Sequence, residues 1–512
     1  MFALTEWTRR LRLTLSENTL LIVALGIGAP LYFINAFEYS VPMGYAGLFT
    51  QMAKQIADAN FHLPIESPFY GPGGIPFAYP PFGLYFLAIL IKLTGKYFIF
   101  LRLLPPLLGL VSFIPLYFIT LKISNSRIAA MASVVIAASS PDMHAANAWA
   151  AGIVRAPAFL FSLASIYFFL SQLMGQRSWS NILWAGVFFG LACMSHLIYA
   201  LFCFLWIWWW SLFYFDKHIL QRIKDALVIS GIGLLVASIW LVPVLFRYGS
   251  SIFVSAFGSH GGNFLLSFWF ELRLLPYLFL QNISPISSSW PLVLLVLIGV
   301  VFLLLKKNLA FPSLFVLVIL AFPEAARFVF LMGSIVAGIG LSIVAESISK
   351  ISIQRLRPIL VAVVMIPVLG YLWQEGYDAI SRKLPQISSA TLDLANQVQE
   401  VTPPDQKYLA LVKQDEAEWL PFLFQREPVV GKWGGEWLGQ FVEQTYFMGL
   451  FRNCQTNQDW ACVENTMADL NVTPQFLVCY IRDRRLNDSI QLDGAWERVY
   501  ENDRYTLWKL VN

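Results

Sequence analysis

Glu38 is the carboxylate whose position is most suggestive. It closes the first apolar run, Leu20 to Phe37, and opens a loop of roughly sixty residues, a length usually kept for function. Beside low-dielectric walls a carboxylate can be raised towards the working range of a general base, and at a helix end the same group can be merely solvated. Asp142 and His144 stand in Ser139-Ser-Pro-Asp-Met-His144, where they could hold a substrate hydroxyl or a metal, or serve only as turn chemistry. His196 follows another apolar run in Met194-Ser-His196, a place where a lone histidine is often structural. Arg327, in Phe322-Pro-Glu-Ala-Ala-Arg-Phe328, could pair with Glu324 at helical i, i+3 spacing or hold a phosphate with its planar fork. Arg102, beside Lys96, offers a second cation for such an anion site.

The elements that must position these groups are membrane helices. Hydrophobic residues make up 57% of the 512 and charged residues 13%, the balance of a polytopic α-helical membrane protein. About eleven runs approach the ~20 residues a bilayer requires: 19–37, 98–121, 128–144, 156–174, 182–198, 199–215, 226–246, 289–305, 309–324, 328–345 and 358–374. The first has no small-residue cleavage site after it and is read as a retained helix.

Lys and Arg mark one side. With the N-terminus inside, the inner loops carry Arg9, Arg10 and Arg12; Lys122 and Arg127; Arg177; Lys217, Arg222 and Lys224; Lys306 and Lys307; and Lys350, Arg355 and Arg357. The outer turns are poor in both, a positive-inside pattern. The net charge of +4 therefore reports topology and gives no support for nucleic-acid binding. Glu38, Asp142, His144, Arg155, His196, Arg247, His260, Glu324 and Arg327 all fall at outer ends, so the chain is expected to carry one outward-facing polar cavity. No repeated halves and no midplane charges suggest alternating access.

Two apolar segments are expected not to span. Phe82 to Thr94, between Pro81 and Gly95, suits an interfacial helix. Phe264 to Leu280 carries Glu271, Arg273 and Pro276 and is read as lying along the outer surface.

From about residue 375 charges become frequent, and 375–512 is expected to form a soluble extracytoplasmic α/β domain of roughly 135 residues. Its helix is read at Thr391–Glu400 and its strands at Tyr408–Val412, Phe476–Ile481 and Tyr505–Val511. Cys454 and Cys462 could pair there in an oxidising compartment, whereas Cys193 and Cys203 fall in apolar runs as core residues.

An ordered set of loose motifs carries a resemblance over roughly residues 15–345. After one span and a long loop with an acid near its start come Tyr79-Pro-Pro81, Phe100-Leu-Arg-Leu103, Ser140-Pro141, Gly152-Ile-Val-Arg155 and Gly190-Leu-Ala-Cys-Met-Ser-His196. The chain resembles the GT-C superfamily of integral membrane glycosyltransferases, particularly its protein-mannosyltransferase and aminoarabinose-transferase-like branch. Glu418-Trp-Leu-Pro421 and Gly431-Lys-Trp-Gly-Gly-Glu-Trp437 are similar to soluble domains attached to prokaryotic members.

The resemblance implies a hexosyl- or pentosyltransferase of the plasma membrane that moves a sugar from a polyprenyl-phosphate donor to a hydroxyl of a glycan, lipid or protein acceptor. It places the base in the first outer loop, usually as an Asp shortly before a Tyr. Val41-Pro-Met-Gly-Tyr45 carries no acid at that spacing, which leaves Glu38 as catalytic base with Asp142 as second acid. Arg327, Arg102, Arg155, His196, Tyr45 and Tyr79 are then the expected substrate and donor-phosphate contacts. No metal ligand set is assigned, although a divalent ion at Glu38 and Asp142 is conceivable. A lipid-glycan flippase, or a catalytically degenerate member acting as a binding partner, are the competing readings.

Overall fold

The structure, a computed structural model, describes residues 17–71, 73–175, 177–214, 218–259, 264–283, 290–322, 325–350 and 356–511. The chain divides into two compact units, each assembled from separate stretches. A helical unit comprises Met1–Glu38, Arg102–Ile239 and Phe264–Lys383, and a mixed unit comprises Tyr39–Leu101, Trp240–Asn263 and Leu384–Asn512. The segment read as a long first loop thus belongs to the same unit as the C-terminal region. The last apolar helix, Arg357–Ser381, continues past the expected boundary at 375.

Each apolar run expected to span, except 128–144, coincides with an apolar helix. Among the described residues six helices are long and apolar enough to cross a membrane: Thr19–Glu38, Phe98–Ser124, Gly152–Met174, Ile219–Tyr248, Ala326–Ile348 and Ile359–Ser381. Arg127–Ala138, Trp179–Ser195, Leu197–Phe213, Trp290–Leu305 and Ala310–Ala321 are shorter. The helix Ala326–Lys350 is the hub of the helical unit, packed against Arg127–Ala138 and Trp290–Leu305. Glycine makes that approach feasible. A Cβ on Gly340 would lie 2.1 Å from the Leu295 carbonyl oxygen, and one on Gly299 2.1 Å from that of Val336. In lipid, where apolar tails give helices no hydrophobic reason to associate, close backbone contact through small residues supplies the attraction.

The run expected at 128–144 breaks in two. Ser126 caps Arg127–Ala138 by accepting from the Ala129 amide at 3.3 Å. Ser140 then caps a separate short helix, Pro141–Asn147, by accepting from the Met143 amide at 3.3 Å, with Pro141 at the first helical position. Consecutive Ser-Ser-Pro is a stop and a start, and it turns Asp142 and His144 into residues of a short helix beyond the apolar one.

The segment expected to lie along the outer surface is helical. It forms the helix Phe264–Ile283, and Leu278 and Ile283 are buried in the main core with Leu274, Leu275 and Phe279 against them. The apolar stripe of its second half outweighs its charges, while Arg273 remains exposed. At the basic ends of the unit, Asp225 accepts from Gln172 at 3.0 Å, Arg177 at 3.0 Å and Gln221 at 2.8 Å, tying two connections together.

In the mixed unit, Gly47–Asp58 is amphipathic, and Phe82–Thr94 ends at Gly95 in the left-handed conformation (φ 69°) that glycine adopts without strain. A two-strand ladder pairs β1 (Glu66–Ser67) with β2 (Ile75–Pro76). The C-terminal sheet has the order β3 (Tyr408–Leu411), β4 (Phe476–Tyr480), β6 (Tyr505–Leu510), β5 (Trp496–Glu501), with β3 parallel to β4 and the other pairs antiparallel. The expected helix is Ser389–Val401, opened by a capping box between Ser388 and Thr391. Cys454 and Cys462 are joined in a disulfide.

One carboxylate staples this unit. Gly47–Asp58 begins without a side-chain cap of its own, and buried Glu418 takes its place from 371 residues away, accepting from the amides of Gly47 and Leu48 at 2.8 Å each. Tyr70 donates to the Glu418 carbonyl at 2.9 Å, and the Trp419 indole donates to the Gly44 carbonyl at 2.8 Å. Burial pushes the Glu418 carboxyl up to about 7, against the pull of the Leu48, Gly47 and Ala46 amides.

A raised acid pKa means that the folded unit binds more protons than the unfolded chain between about 4.5 and 7. This contribution to stability is full below about 4.5 and lost as pH rises through about 7. The melting temperature of the mixed unit should therefore fall across that window, and Glu418→Gln should flatten the slope, leaving the part that Glu416 and Glu436, also raised by burial, contribute. An unchanged slope in Glu418→Gln would assign the titration elsewhere.

Candidate functional site

The helical unit gathers its polar side chains around the short helix Pro141–Asn147. Tyr199, near the start of the helix Leu197–Phe213, donates its hydroxyl to Asn147 Oδ1 at 3.0 Å, and Asn147 Nδ2 donates to the Met143 carbonyl at 2.9 Å. Close packing fixes this corner: a Cβ on Gly152 would lie 2.6 Å from the Asn147 carbonyl oxygen, and one on Gly109 2.8 Å from the Tyr32 ring. Glycine at both positions lets neighbouring helices close on the polar groups.

Arg327 is the second residue of the helix Ala326–Lys350 and is half-buried. Its guanidinium lies 5.3 Å from the centre of the Tyr199 ring and 4.8 Å from that of Phe328, a partial aromatic box that favours a cation. Asp142 is close enough to feel that charge. Burial raises the Asp142 carboxyl, and the Arg327 and Lys383 cations oppose the rise. The imidazole of His196 lies between the helices Trp179–Ser195 and Leu197–Phe213, its ring centre 5.4 Å from that of Tyr199.

Beneath these groups is a buried polar layer. His144 packs edge-on to Tyr32, ring centres 5.5 Å apart, and edge-on to Trp149 at 6.5 Å. Both side-chain atoms of Asn35, the Tyr32 hydroxyl, His144 Nε2 and the Trp149 indole N–H are buried, and none has a hydrogen-bond partner among the described residues. Native proteins seldom leave so many buried polar atoms unpaired, so this layer suits water or a polyhydroxylated ligand. Tyr32 and Asn35 are neutral and lie inside an apolar run, so no charge marks them in the sequence. A neutral amide inside an apolar run, Asn35 in Phe33-Ile-Asn35-Ala36, was the available signal.

The other expected residues separate into three placements. Glu38 is the last residue of the first apolar helix and is exposed. Arg102 donates through Nε to the Ala36 carbonyl at 3.1 Å and through Nη2 to the same oxygen, satisfying an orphan carbonyl in the last turn of that helix. Arg155 is half-buried in the first turn of Gly152–Met174. Tyr45 and Tyr79 belong to the mixed unit, where Tyr79 packs against Phe49 at 4.9 Å and Trp437 at 6.2 Å. Arg247, in that same unit, donates to the carbonyls of Leu63 and Pro64 at 3.2 and 3.1 Å. Glu324 and His260 lie outside the described residues, so the Glu324–Arg327 pairing has no placement.

Among the described residues no group of three His, Cys, Asp or Glu side chains is set to hold a metal ion. Chemically, the helical-unit cluster offers a boxed guanidinium, a carboxylate of raised pKa, and a row of hydroxyl, amide and imidazole groups. Such a set fits an anion flanked by hydroxyls.

Comparison with known proteins bears on the fold. Residues 78–243 match the sequence profile of the family described as dolichyl-phosphate-mannose-protein mannosyltransferase. No curated protein matches the chain significantly by sequence. Among solved structures, the Archaeoglobus fulgidus oligosaccharyltransferase superposes with a TM-score of 0.62 at 14% identity, covering 90% of this chain and 68% of its own. ArnT from Cupriavidus metallidurans bound to undecaprenyl phosphate superposes at 0.57 and 13% identity, covering 96% of this chain and 98% of its own. The arabinofuranosyltransferase AftD from Mycobacteria gives 0.50 at 14%, covering 97% of this chain and 42% of its own. The chain has the fold of the GT-C integral membrane glycosyltransferases.

Proposed function

We propose that this protein transfers a sugar from a polyprenyl-phosphate-linked donor to a hydroxyl of a glycan, lipid or protein acceptor at the outer face of the plasma membrane. The observation that carries the reading is Arg327, held over two aromatic rings beside Asp142 and the polar layer of Tyr32, Asn35, His144 and Asn147. A neighbour of the same fold was solved with undecaprenyl phosphate, which supports a lipid phosphate as the leaving group.

In the proposed reaction Glu38 takes the proton of the acceptor hydroxyl as its oxygen bonds to the anomeric carbon. The bond from that carbon to the phosphate oxygen breaks, and its electron pair leaves with the lipid phosphate. Arg327 stabilises the charge gathering there, as a preorganised cation does in a site of low dielectric. Asp142 keeps Arg327 oriented until donor phosphate arrives, and Arg155 and His196 add positive or hydrogen-bonding capacity around the anion.

The direct test is transfer of radiolabelled sugar from membrane polyprenyl-phosphate pools, with and without the purified protein. Absence of any protein-dependent transfer across the major lipid-linked sugars would sink the reading. Side is tested separately. Positive-inside loops and the Cys454–Cys462 disulfide support a cytoplasmic N-terminus and an extracytoplasmic C-terminal region. Ser389 is exposed, so Ser389→Cys should react with an impermeant maleimide in intact cells. Labelling only after lysis would put the candidate base on the wrong side for the proposed acceptor.

A further inference from the structure

A cleft in the mixed unit is absorbed by none of this chemistry. It has a volume of about 260 Å³ and runs along β3 from Tyr408 and on through Val412 to Gln414, facing the helix Phe441–Asn457. Its lining combines one half-buried indole, Trp433, with the Gln414 amide, the Thr445 hydroxyl and two cations, Lys432 and Arg452, above buried Phe451.

We propose that this cleft binds an acidic saccharide, a sugar unit bearing a carboxylate or phosphate, with Trp433 against its apolar face and Lys432 and Arg452 on its anionic group. The side chains match that ligand part by part. An indole covers the C–H face of a pyranose, amide and hydroxyl groups exchange hydrogen bonds with ring hydroxyls, and an Arg fork holds a carboxylate or phosphate bidentately.

Lys432 is half-buried. Its ammonium pKa is lowered by that burial, with Asp415 and Glu436 opposing the shift, and an arriving anion would add to their effect. Arg452 is exposed on the wall of the cleft, and no ion pair involving it occurs among the described residues. An extended peptide is disfavoured for a structural reason. Such a ligand would add to the free edge of β3, yet at Tyr408 that edge already pairs with the Glu427–Val429 segment through the Tyr408 amide to the Glu427 carbonyl at 3.1 Å and the Val429 amide to the Tyr408 carbonyl at 2.8 Å.

The test uses the full chain in lipid nanodiscs, titrated calorimetrically with tetragalacturonate and with neutral maltotetraose, no donor lipid being present. Tetragalacturonate should bind at least about tenfold more tightly, and Arg452→Gln and Lys432→Gln should each weaken it by about tenfold, the effect of one charge-assisted hydrogen bond. Trp433→Ala should weaken both probes, with Trp433→Phe restoring part of the loss. Arg452 is exposed, so its variant should keep the wild-type melting temperature and remain interpretable. Equal binding of the two saccharides, unchanged affinity in a normally folded Arg452→Gln, or equally tight binding of tetra-aspartate would each overturn the proposal. Because binding is read without transfer, its failure leaves the proposed reaction standing, and a failed transfer assay leaves this site standing.

Discussion

Glu38→Gln should lower sugar transfer by about 10²–10⁴-fold, the range expected when a general base is removed, and should leave the protein as stable as before. The second half of that expectation comes from burial. Glu38 is exposed at the end of its helix, and surface substitutions of this kind usually change stability by no more than about 0.5 kcal/mol. Lost activity in Glu38→Gln would therefore be lost chemistry, readable in kcat at saturating donor and acceptor. Asp142→Asn is the companion measurement. Asp142 lies in the field of Arg327, so its loss should weaken donor binding more than the chemical step, raising KM for the donor with a smaller change in kcat. Near-wild-type turnover in Glu38→Gln together with a collapsed kcat in Asp142→Asn would exchange the two roles.

Much of the helical unit was legible because apolar runs of bilayer length leave few alternatives: every expected run but 128–144 coincides with an apolar helix. What the pattern could not resolve were local competitions. The serines at 139 and 140, followed by Pro141, cut one expected span into two helices, because a serine cap and an N-terminal proline stabilise a fresh start. In Phe264–Ile283 the charges suggest a surface segment, and which of its apolar residues reach the core, Leu278 and Ile283, is decided only by packing. Strand β5 (Trp496–Glu501) was unread because its sequence, Trp-Glu-Arg-Val-Tyr-Glu, is half charged and its side chains are mostly not buried. The Glu418 staple was invisible for a different reason. Nothing local marks a carboxylate that caps a helix 371 residues away. At the candidate site, charge drew attention to Asp142, His144, His196 and Arg327, whereas Tyr199, Asn147, Tyr32 and Asn35, which connect or underlie them, are neutral and resemble ordinary helix residues until the helices are packed.

Arg327→Lys should weaken donor use by about 10–100-fold although the positive charge survives, the equivalent of about 1.5–3 kcal/mol for a hydrogen bond to a charged group. The substitution separates two properties that Arg combines. Either cation can sit over the Tyr199 and Phe328 rings, so the aromatic box alone does not distinguish them. Only the planar fork can engage two phosphate oxygens at once, whereas an ammonium acts as a point charge. If Arg327 holds the lipid phosphate, the loss should grow from donor KM into kcat, because charge on the phosphate increases as the glycosidic bond breaks and the contact is worth most in the transition state. If Arg327 only braces the start of its helix against Tyr199, Arg327→Lys should lower the melting temperature and leave donor KM and kcat intact in the fraction that remains folded. The two outcomes differ in observable, not only in degree, and the second would remove the phosphate from the proposed site.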